Sequence, residues 1–132
     1  MIIGTGIDVI DVYRIENTIK KYGDRFINRC FTEKEIIGSK KKFNNISFFA
    51  KRYAAKEACA KALGTGLARG VYWKDISVSN NNLGKPFIEI TGKALERLKK
   101  MSNKKCNIEV SLSDEKHYAI ANVIIFETNE KN

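Results

Sequence analysis

The feature that most constrains the fold is a helix built to be approached at close range. Over residues 46–63, Phe49, Tyr53, Ala60 and Leu63 keep helical spacing, and Gly64-Thr65-Gly66 supplies a stop. Ala50, Ala54 and Ala58 form a ridge of small residues at four-residue spacing, which lets another element pack close. A neighbouring ridge carries Tyr53, Glu57 and Lys61. Two readings of Glu57 stand open. It is half of an exposed Glu57/Lys61 pair worth about 0.3 to 0.5 kcal/mol, or it is a functional anion that needs a compensating cation.

A second carboxylate raises the same question. Ile3, Thr5, Ile7 and Val9 alternate with Gly4, Gly6, Asp8 and Ile10, which predicts a strand buried on both faces. Asp8 shares a face with Gly4 and Gly6, and glycine there permits close approach of another backbone or a ligand. The carboxylate is therefore expected beside open space. A strand-end or helix-capping role for Asp8 or Asp11 is the alternative. Read with the basic residues Arg52, Lys56 and Lys61, the two acids suggest a divalent metal that holds a phosphate.

Elsewhere the pattern mixes short helices and strands. Tyr13, Ile15, Ile19 and Tyr22 fit a helix over 12–22, ended by Gly23. Thr32-Glu33-Lys34-Glu35 opens another as a Thr-x-x-Glu capping box. Lys40-Lys41-Lys42 and Phe43-Asn44-Asn45 read as an exposed basic loop. Strands are expected over 71–79, 86–90, 106–113 and 118–126, with a helix over 92–101 that turns Ala94, Leu95 and Leu98 inward. In Gly84-Lys85-Pro86, proline restricts the residue before it and holds Lys85 in place. Asp114-Glu115-Lys116 makes a hairpin turn, and 128–132 is expected to fray.

With 132 residues, 43% of them hydrophobic, the chain is long enough for one core and too short for two. A single domain is expected over 1–126, with a polar tail over 127–132. The net charge of +9 points to a polyanionic partner: nucleic acid, an anionic membrane, or an acidic protein with a phosphorylated ligand. No stretch approaches the roughly 20 apolar residues of a membrane span, and the chain opens directly on a strand pattern. A cytoplasmic protein without a membrane anchor is expected. Cys30, Cys59 and Cys106 are scattered and form no CxxC, which points to reduced thiols rather than disulfides or zinc.

Five segments, taken together, carry a resemblance: residues 4–16, from Gly4 through Asp8 to Glu16; Phe31-Thr32-Glu33-Lys34-Glu35; residues 52–66, with Lys56-Glu57-Ala58 and Lys61; Gly84-Lys85-Pro86; and Ser111-Leu112-Ser113-Asp114-Glu115. In order and spacing they resemble the 4'-phosphopantetheinyl transferases, of the short bacterial holo-acyl-carrier-protein synthase type. The resemblance covers nearly the whole chain apart from the tail. It implies an α+β fold, an antiparallel sheet with the long Glu57 helix packed across it. It also implies transfer of the 4'-phosphopantetheine arm from coenzyme A to a serine of apo-acyl-carrier protein, releasing adenosine 3',5'-bisphosphate, in fatty acid biosynthesis.

The same resemblance distributes roles. Asp8 and Glu57 match the two ligands of Mg2+, and Lys61 matches a phosphate-contacting lysine, so Glu57 and Lys61 are the expected catalytic pair. Arg52, Lys61, Lys85 and Pro86 are expected contacts of coenzyme A. Gly64 and Gly66 could admit phosphates near their N–H groups, although a plain helix stop stays equally open. Arg14 and Arg25 with Phe26 are expected to dock the acidic carrier, with solvated surface charge as the other reading of the arginines. The family further implies a homotrimer with coenzyme A between subunits, so that contacts near Asp114 come from a neighbouring chain. Many relatives have histidine where this chain has Asp114, which leaves no histidine base assigned. His117 reads as a hairpin residue, and the serine proton goes to Glu57 or to water at the metal.

Two other classes compete. In a nucleic-acid-binding module, Lys40-Lys41-Lys42-Phe43 and Phe48-Phe49-Ala50-Lys51-Arg52-Tyr53 would interleave cations with stacking rings. That reading leaves Asp8 and Glu57 without a purpose, so no nucleic acid and no membrane are expected as partners. A noncatalytic homologue that only binds the carrier would not need Asp8, Glu57 and Lys61 together.

Overall fold

Asp11 marks the turn from strand to helix: its carboxylate accepts the Tyr13 amide at 2.9 Å and caps the first helix. The computed structural model describes residues 1–67 and 70–131; Asn132 of the expected tail lies outside them. In chain order the elements are β1 (Ile2–Asp11), α1 (Val12–Tyr22), α2 (Asp24–Cys30), α3 (Glu33–Ser39), α4 (Asn45–Ala62), a 3-10 turn (Trp73–Asp75), β2 (Ile76–Asn80), β3 (Pro86–Ile90), α5 (Gly92–Met101), β4 (Lys104–Asp114) and β5 (Tyr118–Lys131). The fold is α+β, as expected.

Strands β1, β5 and β4 form one antiparallel sheet in that order, with Asp8 opposite Ala121 and Gly6 opposite Val123. Helix α4 lies across its inner face on Ala119, Ala121, Val123 and Ile125, all fully buried. The glycines of β1 and the alanine ridge of α4 are two halves of one device. A Cβ on Gly6 would stand 1.9 Å from the Ala58 carbonyl oxygen, and one on Gly4 would stand 2.2 Å from that of Ala62. Helix backbone rests on strand backbone, so the space expected beside Asp8 is taken by α4 rather than left open.

The second expectation for β1 also changes. Only the face with Gly4, Gly6, Asp8 and Ile10 is covered, while Ile7 and Val9 on the other face are 60% and 56% exposed. Tyr118 and Ile120 of β5 are exposed as well.

Strands β2 and β3 form a separate antiparallel pair. β2 begins later than its apolar pattern predicts because Asp75 reaches back to the Tyr72 amide and closes the 3-10 turn. At the other end, β5 continues through Lys131 into the segment expected to fray, with Thr128 donating to the Lys105 carbonyl and Glu130 paired with Lys105. Phe31, Phe48 and Phe49 pack in the core, ring centroids 4.7 Å apart for Phe31 and Phe49. Phe48 and Phe49 are thus unavailable as stacking platforms for bases, while Phe43 of the basic loop is fully exposed.

Candidate active site

β1 and α4 meet where Asp8 leaves the glycine run. Lys61 of α4 lies 3.0 Å from the Asp8 carboxylate and donates to the Ile7 carbonyl at 2.9 Å, so its close ion pair is across the interface rather than along the helix. Glu57, one turn earlier on α4, is half-buried. Burial first, and the Asp8 charge second, push its pKa above the usual carboxylate value, with Lys61 and Arg14 opposing. The two carboxylates are close enough to repel. Two hard oxygen donors in mutual repulsion suit Mg2+, which typically takes one or two protein carboxylates and fills its other positions with phosphate oxygens and water.

Arg52 sits more than two turns back along α4, about 13 Å from Lys61 at a rise of about 1.5 Å per residue. Its guanidinium stacks on Phe48 at 3.6 Å and donates to the Asn80 side chain at 2.6 Å. Its buried Nε has no hydrogen-bond partner among the described residues. Burial pulls its pKa below the ordinary arginine value, a cost that an anion alongside would offset. Beside it opens a cavity of about 560 Å3, lined by Lys41, Lys42, Phe48, Asn80 and Gly84 among others. Gly84 holds φ at +87° in the turn before Lys85. Lys85 pairs with Glu109 of β4 at 3.0 Å, and Pro86 begins β3.

Arg14 belongs to the carboxylate edge, since its charge is felt at both Glu57 and Tyr53. Arg25 and Phe26 line a neighbouring cavity of about 380 Å3 with Thr18, Tyr22 and Arg29. Phe26 connects the two regions: its ring lies 6.1 Å from Tyr53, which stacks on Trp73 at 4.5 Å. Burial and Glu57 together raise the Tyr53 pKa.

The remaining expected residues lie apart within the chain. Asp114 accepts from Ser47 at 2.8 Å, near the start of α4, and lies 3.7 Å from Lys51. Gly64 and Gly66 stand at the opposite end, about 25 Å away along the helix. Their amides donate to the carbonyls of Lys61 and Ala60, so they terminate the helix and have no N–H left for a phosphate. His117 is an exposed turn residue whose carbonyl accepts the Val12 amide.

Sequence reasoning grouped Lys56 with the cations of the phosphate site and read Glu35 only as part of a helix cap. It missed that the two pair with each other, which withdraws Lys56 from any phosphate. Both side chains are fully buried, with Lys56 Nζ 2.6 Å from Glu35 Oε1. The signal was present: Lys56 falls on the inward stripe of Phe49, Ala60 and Leu63, and a cation there requires a buried anion.

The profile of the 4'-phosphopantetheinyl transferase superfamily matches residues 4–123. Holo-acyl-carrier-protein synthases of Sinorhizobium fredii and Rhizobium meliloti are each 50% identical over 127 residues, covering 95% of this chain and 91% of theirs. The crystal structure of the Neisseria meningitidis holo-acyl-carrier-protein synthase superposes with a TM-score of 0.85 at 34% identity, covering 96% of this chain and 100% of that one. The Bacillus anthracis synthase, solved in complex with CoA (3',5'-ADP), gives 0.80 at 34% identity over 97% and 99%. With its sheet crossed by α4 and its carboxylates at their meeting point, the chain belongs to the 4'-phosphopantetheinyl transferase superfamily, among the holo-acyl-carrier-protein synthases.

Proposed function

We propose that this protein transfers 4'-phosphopantetheine from coenzyme A to a serine of apo-acyl-carrier protein, in the cytoplasm and in the service of fatty acid biosynthesis. The observation that carries the reading is the convergence of Asp8 from β1 with Glu57 and Lys61 from α4. In the reaction the serine oxygen bonds to the phosphorus that bears the pantetheine arm. The bond from that phosphorus to the bridging oxygen breaks, and adenosine 3',5'-bisphosphate leaves. The serine proton passes to Glu57 or to water.

Asp8 and Glu57 would hold Mg2+, which supplies charge neutralisation at the phosphoryl oxygens. Lys61, fixed by Asp8 and the Ile7 carbonyl, presents its ammonium where negative charge develops on the leaving group. Arg52, whose Nε has no hydrogen-bond partner among the described residues, receives the phosphorylated nucleotide in the cavity beside Asn80 and Gly84, with Lys85 and Pro86 beyond the turn. Gly64 and Gly66 enter only as small residues at the end of α4.

Arg14, Arg25 and Phe26 form the docking face for the acidic carrier, contiguous with the carboxylate edge through Tyr53. The exposed apolar face of β1 and β5 supports self-association; the homotrimer that the family resemblance implies would bring Asp114 of one chain towards the nucleotide on another.

Incubation of the purified protein with apo-acyl-carrier protein, coenzyme A and magnesium should add the phosphopantetheine mass to the carrier. No mass gain on a carrier that another transferase modifies would overturn the reading. Asp8→Ala and Glu57→Ala should each slow transfer by more than about 100-fold.

A further inference from the structure

Among the described residues, no strand lies beside the outer edge of β2. Two of its backbone groups are paired nonetheless: Lys56 Nζ donates to the Ile76 carbonyl at 2.7 Å, and Glu35 Oε2 accepts the Val78 amide at 2.9 Å. A donor to one carbonyl and an acceptor for the amide two residues on are what a neighbouring strand would present. The two side chains close the edge in its place. Lys56 spends its remaining donors on Glu35 Oε1 at 2.6 Å and the Trp73 carbonyl at 3.1 Å, so the ammonium is fully satisfied. Glu35 Oε1 also accepts the Thr32 amide at 2.8 Å, which ties the start of α3 into the same knot.

Stability alone does not call for such a pair, because apolar side chains of similar volume are often as stabilising or more so. Position does. A one-residue slip of β2 against α3 and α4 would strand two charges in the core. Asn80, two residues beyond Val78, accepts from Arg52 and walls the nucleotide cavity with Gly84. Lys56 is the neighbour of Glu57 on α4.

We propose that Glu35 and Lys56 are positioning residues for coenzyme A: they lock β2 to α4 and so set the spacing between the cavity wall at Asn80 and the carboxylates at Asp8 and Glu57. This rests on the placement of the nucleotide beside Arg52.

The test is steady-state kinetics of Glu35→Gln and of the double variant Glu35→Leu/Lys56→Met, which removes both charges and should fold even if the single variant does not. The expected result is a KM for coenzyme A raised about 10-fold, with kcat and the KM for the carrier within about twofold of wild type. A merely structural role would lower the folded fraction and scale kcat without that split. A double variant with wild-type KM for coenzyme A overturns the proposal. Arg52→Ala separates the two layers: a raised KM there, with the pair variants unchanged, overturns the positioning role alone, whereas no change in any variant overturns the nucleotide placement as well.

Discussion

Asp8 and Asp11 lie three residues apart on one strand, yet one is exposed and caps a helix while the other is ion-paired to Lys61. Residue type does not separate them; register does, because Asp8 shares the inward face with Gly4 and Gly6. The cysteines show the same dependence on surroundings. Burial pushes the Cys30 thiol up to about 11 and the Cys59 thiol up to about 12. Folding therefore keeps these protons on: the contribution to stability is fully present below the free-thiol value of about 8.5 and is lost as pH rises through the folded values. At pH 8 an aromatic disulfide reagent should modify Cys106 first and reach Cys30 and Cys59 only after denaturation. Rapid reaction of all the thiols in the native protein would contradict their burial. Arg14 belongs to this scale too. Arg14→Ala should raise the KM for the carrier and flatten its salt dependence with kcat little changed, and an unaltered salt dependence would remove it from the docking face.

Among the elements, the contact of β1 with α4 depends on absent atoms. Gly6→Ala would drive a Cβ into the Ala58 carbonyl, backbone against backbone, with no flexible side chain to yield. Urea unfolding should show a loss of about 3 kcal/mol; a change within about 0.5 kcal/mol would mean that α4 can lift off the strand. Periodicity located α1, α4, α5 and most strands because each has a long enough face to register a period. It missed α2, whose seven residues span barely two turns after a glycine that reads as an end. The capping box at Thr32 was readable, with both of its hydrogen bonds present, but Glu35's further bonds to Lys56 and Val78 join residues distant in sequence.

At the scale of the whole molecule, a single chain leaves Ile7, Val9, Tyr118 and Ile120 in water on one sheet face. The alternating pattern of β1 predicted burial on both sides, and the self-association proposed above would satisfy it. Val9→Asp should therefore yield monomers by light scattering and lose transferase activity, whereas an active monomer would show that one chain holds a complete site. The excess positive charge suits an acidic carrier. By itself the sequence determined the fold class, the two unusual carboxylates and, through the order of its motifs, the family. These are local or ordered properties, carried by spacing along the chain. Only the tertiary structure decided that Lys61 pairs with Asp8, that Gly64 and Gly66 spend their amides on the helix end, and that Lys56 and Glu35 close the edge of β2. Each depends on which backbone approaches which, and close approach between distant segments leaves no period in the sequence that records it.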